Sequence, residues 1–205
     1  MIIHNIKQNT PEWLAVRLGK FTASQATAVA SAGKGLETLV FKKVAEILTN
    51  KAEEGYKNFD MERGNELEAM ARGAYELETG NIVKEVGFCE LDKQIGCSPD
   101  GLVGEDGLTE IKCPSDKVFV EYLYSGKIDT GYMWQMQMQM YVTDRTWCDY
   151  VVFNDNFPNS IVITRVERDE GAVAKIKAGL ATAKAMTDSI LLKIKKGKNE
   201  RQKGK

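Results

Sequence analysis

Residues 98–114, SPDGLVGEDGLTEIKCP, set Asp100, Glu110 and Lys112 among apolar and glycine neighbours. Val103, Leu108 and Ile111 read as short strands facing a core. Taking charge into such surroundings costs several kcal/mol per ion unless something compensates. On a strand side chains alternate faces, so Glu110 and Lys112 point one way and Ile111 the other. Whether Asp100 joins them depends on loop length. A two-residue turn at Glu105-Asp106 would set Asp100 opposite Ile111, on the wrong face. A three-residue loop or a bulge brings it to the correct face, and this is the expectation.

The chemistry open to the chain is narrow. Its single histidine is His4, near a terminus, which removes histidine-based catalysis and multi-histidine metal sites. Cys89, Cys97, Cys113 and Cys148 form no Cys-x-x-Cys pair, so they read as reduced structural thiols. Carboxylates, lysines, arginines and hydroxyls remain. Two carboxylates and a strand carbonyl are hard oxygen ligands suited to Mg²⁺, and a lysine beside them can orient or deprotonate a water that attacks a phosphodiester. Acid and lysine two apart on a strand are more often a surface ion pair, so this stretch alone leaves a nuclease as one reading among several.

At 205 residues one domain is expected, over 1–194, followed by a basic tail, 195–205. The net charge of −1 gives no whole-molecule attraction to polyanions, so binding to nucleic acid must come from a local patch or a metal. No run of 18 apolar residues and no secretory pattern is present, and a cytosolic protein without membrane association is expected.

Along the chain, Thr10-Pro11 opens a helix that runs toward Gly19, and Thr22 or Ser24 caps a second short one. Periodicity predicts helices over 36–49 and 61–79, the latter stopped by Gly80. From Ile82 to Lys112, five glycines divide short strands that read as one curled antiparallel meander. A helix over 116–125 follows. GYMWQMQMQMYVTD fits both a strand and a helix; the helix is preferred, with Met133, Met136 and Met140 inward and Gln135 and Gln139 pointing elsewhere. A hairpin of WCDYVVFN and SIVITRVER and a last helix from Asp169 to Ile194 complete the chain.

Five separated blocks, RLGKFTAS (17–24), RGNELE (63–68), CSPDGL (97–102), EIKCP (110–114) and YMWQMQ (132–137), resemble in order and approximate spacing the lambda exonuclease family, the YqaJ-like phage recombination nucleases of the PD-(D/E)xK superfamily. The resemblance covers roughly residues 10–170. It implies an α/β, restriction-endonuclease-like core with a central mixed sheet flanked by helices. It implies Asp100, Glu110 and the Ile111 carbonyl as metal ligands, Glu68 as a further acid at the metals, Lys112 as the catalytic lysine, and Gln135 with Tyr132 on the following helix. Arg17 and Ser24 match a 5'-phosphate pocket, with Ser98 a third member; a guanidinium and hydroxyls at a helix start suit that anion on physical grounds too. The ordinary alternatives are a surface charge for Glu68 and Arg17, a helix cap for Ser24, and core or helix polarity for Gln135 and Tyr132.

The implied activity is Mg²⁺-dependent (Mn²⁺ substituting) 5'-to-3' exonucleolytic hydrolysis of one strand of double-stranded DNA. The implied partners are DNA ends, a single-strand annealing protein and a homotrimeric ring. A site- or structure-specific endonuclease with the same charged residues, or a catalytically silent DNA-end binding module, are the alternatives. The chain departs from the pattern at Arg63, which precedes Gly64 where an aromatic is usual. Lys34, Lys42, Lys43, Lys51 and Lys57 are equally plausible groove-lining bases.

Overall fold

The computed structural model describes residues 1–52 and 59–203, with the backbone alone over 59–66 and 197–203. Lys57 and the side chain of Arg63 fall outside the described residues.

The chain opens with strand β1 (Ile2–His4) and helix α1 (Pro11–Arg17). Thr10 caps α1 by accepting from the Trp13 N–H at 3.3 Å, Pro11 takes the first turn, and Gly19, at φ +70°, follows the end. Strand β2 (Phe21–Thr22) leads into a 3₁₀ turn, Ala23–Gln25, then α2 (Ala26–Ser31), α3 (Lys34–Thr49) and α4 (Phe59–Thr79). Both α3 and α4 begin two residues before the predicted starts, and Gly80 at φ +70° ends α4 as expected. Strands β3 (Val83–Lys84), β4 (Phe88–Asp92), β5 (Ile95–Cys97), β6 (Gly101–Val103) and β7 (Gly107–Lys112) follow. The remaining elements are α5 (Asp116–Ser125), α6 (Thr130–Thr143), β8 (Trp147–Phe153), β9 (Ile161–Glu167) and α7 (Glu170–Lys203). The ambiguous methionine-glutamine stretch is thus a helix, its start capped by Asp129, which accepts from the Gly131 N–H at 2.7 Å. Helix α7 runs past Ile194 into the basic tail.

The glycine-rich region is two structures rather than one meander. Strands β4 and β5 belong to a four-stranded sheet, β1-β4-β5-β2, while β3, β6 and β7 belong to a five-stranded sheet, β3-β6-β7-β8-β9. The chain changes sheets over Ser98-Pro99-Asp100. Pro99 has no N–H to give a ladder, so pairing stops there. In the larger sheet β7 and β8 are parallel and the other neighbours antiparallel, the mixed arrangement expected.

Two layers cover that larger sheet. On one face Val83, Val103, Ile111, Val151 and Phe153 pack against Ala71 and Tyr75 of α4. On the other, Leu102, Leu108, Tyr150 and Val152 meet the methionines of α6 and residues of α2, α3, α7 and the smaller sheet. Gly107 is required where it stands, because an added Cβ would lie 2.1 Å from the Trp147 indole.

Candidate active site

The β6–β7 register pairs Val103 with Gly107 and Gly101 with Thr109, which leaves a three-residue loop, Gly104-Glu105-Asp106. Gly104 takes φ +52° there. Extending the register sets Asp100 across from Glu110, on the face the sequence argument required. The Asp100 carboxylate accepts from the Ile111 N–H at 2.6 Å, tying the loop-borne acid to β7. Ile111 itself packs toward α4.

Glu110 and Lys112 share the opposite face. Lys112 Nζ donates to Glu110 Oε1 at 2.5 Å and to the Ile111 carbonyl at 3.2 Å, and lies 4.9 Å from the Tyr132 ring centre. From α6, Gln135 Nε2 donates to Glu110 Oε1 and Gln139 Nε2 to Glu110 Oε2, each at 2.6 Å. Gln135 points into the cleft, away from the inward methionine face as expected, whereas Gln139, expected to point elsewhere too, is fully buried, and that expectation is corrected. Residues 136–140 are all buried, because α6 lies between the large sheet and the other helices and has no solvent face there. Gln139 was not singled out as functional; its place one turn after Gln135 is the sequence signal that could have found it.

Electrostatics follow from burial and crowding. Burial, then repulsion from Glu110, holds the Asp100 carboxyl well above the usual carboxylate range, with Lys112 opposing. Burial works against the Lys112 ammonium, but Glu110 and Asp100 outweigh it and hold its pKa above the ordinary lysine value. Glu68, on α4, is pushed up by burial and held back by Arg72, which pairs with it at 2.9 Å.

At the other end Arg17 Nη1 donates to Ser98 Oγ at 3.1 Å, and Trp13 Nε1 reaches the same oxygen at 2.9 Å. The guanidinium lies 3.9 Å over the Trp13 ring, and among the described residues no carboxylate pairs with it. Burial lowers its pKa to about 10, which still leaves it charged at neutral pH. Ser24, exposed on the 3₁₀ turn, lies with its hydroxyl 3.4 Å from that of Thr22.

All ten candidates, Arg17, Ser24, Glu68, Ser98, Asp100, Glu110, Ile111, Lys112, Tyr132 and Gln135, line one cleft of about 920 Å³. Trp13, Gln8 and Asn9, which the sequence reading passed over, line it too. The oxygen donors of Asp100, Glu110 and the Ile111 carbonyl fit a hard divalent cation, and a positive ion would relieve the repulsion between the two acids. Among the described residues no three acidic, thiol or imidazole side chains converge at ligand spacing; Glu68 shares the cleft but is engaged by Arg72. None of the four cysteines is in a disulfide.

A family model for the YqaJ-like viral recombinase domain matches residues 12–146. Among solved structures, an alkaline exonuclease (LHK-Exo) from Laribacter hongkongensis is 38% identical, over 93% of this chain and 99% of its own, with a TM-score of 0.86. The structure of LHK-Exo in complex with dAMP matches equally well. A phage related exonuclease from Haemophilus somnus 129PT, at 18% identity and a TM-score of 0.66 over 85% of this chain and 96% of its own, shares the fold. No curated protein matches.

Proposed function

The chain belongs to the YqaJ-like viral recombinase domain family, and we propose that it is a recombination exonuclease that hydrolyses one strand of double-stranded DNA from its 5' end with Mg²⁺ or Mn²⁺. The observation that carries this reading is the shared cleft, in which Asp100, Glu110 and Lys112 stand together and the Arg17–Ser98 pair lies beyond them. The match to an alkaline exonuclease supports the reaction class. The relative's complex with dAMP, a mononucleotide, fits a cleft of this chemistry.

Asp100, Glu110 and the Ile111 carbonyl would hold the ion, with Glu68 beside them. When bound, the ion supplies Lewis-acid stabilisation of the charge that develops on the phosphodiester. Lys112 would orient the attacking water, its ammonium anchored by Glu110 and the Ile111 carbonyl. Gln135 steadies the same Glu110 oxygen. Arg17, backed by Trp13, would grip the terminal 5'-phosphate with Ser98 and Ser24, since a guanidinium binds phosphate through paired N–H donors. Tyr132, under Lys112, forms the cleft wall toward the nucleotide.

The same reading places the protein in the cytosol of its host, acting on DNA ends beside a single-strand annealing protein. A homotrimeric ring around the duplex would keep a nearly neutral enzyme on its substrate. No helix among the described residues is long and apolar enough to cross a membrane.

The test is digestion with Mg²⁺ of linear duplexes bearing 5'-phosphate or 5'-hydroxyl ends, beside relaxed circles. Linear DNA is expected to shorten from its 5' ends, phosphorylated ends faster, and circles to survive. In Arg17→Ala the preference for phosphorylated ends should fall about tenfold, the worth of one charge-assisted contact. Cleavage of circles at the rate of linear DNA would overturn end dependence.

A further inference from the structure

Glu110 is only 1% exposed, and both of its carboxylate oxygens are occupied. Oε1 accepts from Lys112 and Gln135, which line the cleft; Oε2 accepts from Gln139 at 2.6 Å, on the inner side. Gln139 is fully buried on a helix whose Met136, Met138 and Met140 are also fully buried. Its own Oε1 has no hydrogen-bond partner among the described residues. An orphaned buried amide oxygen costs about 1–3 kcal/mol, and a methionine of nearly the same length would avoid that cost. The amide at this position is thus explained by its N–H₂ group, and that group is aimed at one atom.

Building on the nuclease reading above, we propose that Gln139 is a positioning residue for Glu110. Its Nε2 fixes Oε2 against the core, and so fixes the rotation of the carboxylate and presents Oε1 to the cleft. Gln135 and Gln139, one helical turn apart, form a fork on α6 that grips both oxygens, and only the Gln135 arm reaches the cleft. Without the Gln139 arm Oε2 loses the hydrogen bond that holds it, the carboxylate is restrained through Oε1 alone by Lys112 and Gln135, and the ligand geometry it offers an ion loosens.

The test compares Gln139→Met with wild type in three measurements: ion-free melting temperature, Mn²⁺ affinity by calorimetry without DNA, and steady-state digestion of a 5'-phosphorylated linear duplex. The ion-free melting temperature should stay within about 5 °C, since the orphaned oxygen is removed along with the hydrogen bond. Mn²⁺ affinity should fall about tenfold or more and kcat about 10–100-fold, the usual effect of removing a partner that orients a metal ligand, with KM for DNA unchanged. Gln139→Leu provides the same comparison if methionine packs badly. Wild-type Mn²⁺ affinity and kcat in a folded variant would overturn the proposal while leaving the nuclease reading intact. Weakened Mn²⁺ binding in the variant, with no ion-dependent hydrolysis by the wild type, would leave the positioning role standing and sink the nuclease reading.

Discussion

Lys112 makes three contacts at once: Glu110, the Ile111 carbonyl and the face of Tyr132. Its neighbours hold the charge on the ammonium and the side chain in one place, so its value lies in orientation. Lys112→Ala should lower single-turnover hydrolysis by about 100-fold or more, within the range of a positioned proton-handling group. Binding of a linear duplex without divalent ion, followed by fluorescence anisotropy, should change far less. Equal hydrolysis by the two proteins would remove the lysine from the chemistry.

At the scale of elements, close approach decides which glycines matter. A Cβ on Gly179 of α7 would lie 1.9 Å from the Val29 carbonyl oxygen of α2, so the two helices would have to separate. Gly179→Ala is expected to cost about 1–3 kcal/mol. Gly73, exposed in α4 with nothing within 4 Å of its added Cβ, should instead gain about 0.5–1 kcal/mol on conversion to alanine. Urea denaturation of the two variants checks both signs. Glycine codes for both sites alike, and only the packing tells them apart. The same limit governed the rest of the reading. The loop between β6 and β7 was legible because strand parity is a local rule, and Asp100, Glu110 and Lys112 came with it. The division of residues 82–112 between two sheets was not, since β4 and β5 take partners from β1 and a two-residue β2, too short to show a period. Gln139 was hidden for a related reason: a glutamine reads as solvent-facing until a distant strand supplies its partner.

In the molecule as a whole, the far face of the large sheet carries a second polar network. Tyr75 donates to Asp149 Oδ2 at 2.7 Å, and Arg165 holds both Asp149 oxygens at 2.9 Å while stacking 3.6 Å over Trp147. Burial, then the bond to Asp149, pushes the Tyr75 hydroxyl from its ordinary 10 up to about 12. A group whose folded pKa is raised contributes stability below its unfolded pKa and loses it as pH climbs through the folded one. The margin of wild type over Tyr75→Phe should therefore be constant below pH 10 and shrink between pH 10 and about 12. Urea midpoints of the two proteins across that interval measure it, and a margin independent of pH would contradict the assignment. The crossing from one sheet to the other has a mechanical meaning for the proposed enzyme. Ser98, which would belong to the phosphate clamp, and Asp100, which would stand at the scissile bond, are joined by Pro99 alone, and two residues of chain reach at most about 7 Å. Grip and blade are thus ends of a covalent ruler, so each stroke would be set by bond lengths and would keep its measure however the surrounding layers breathe.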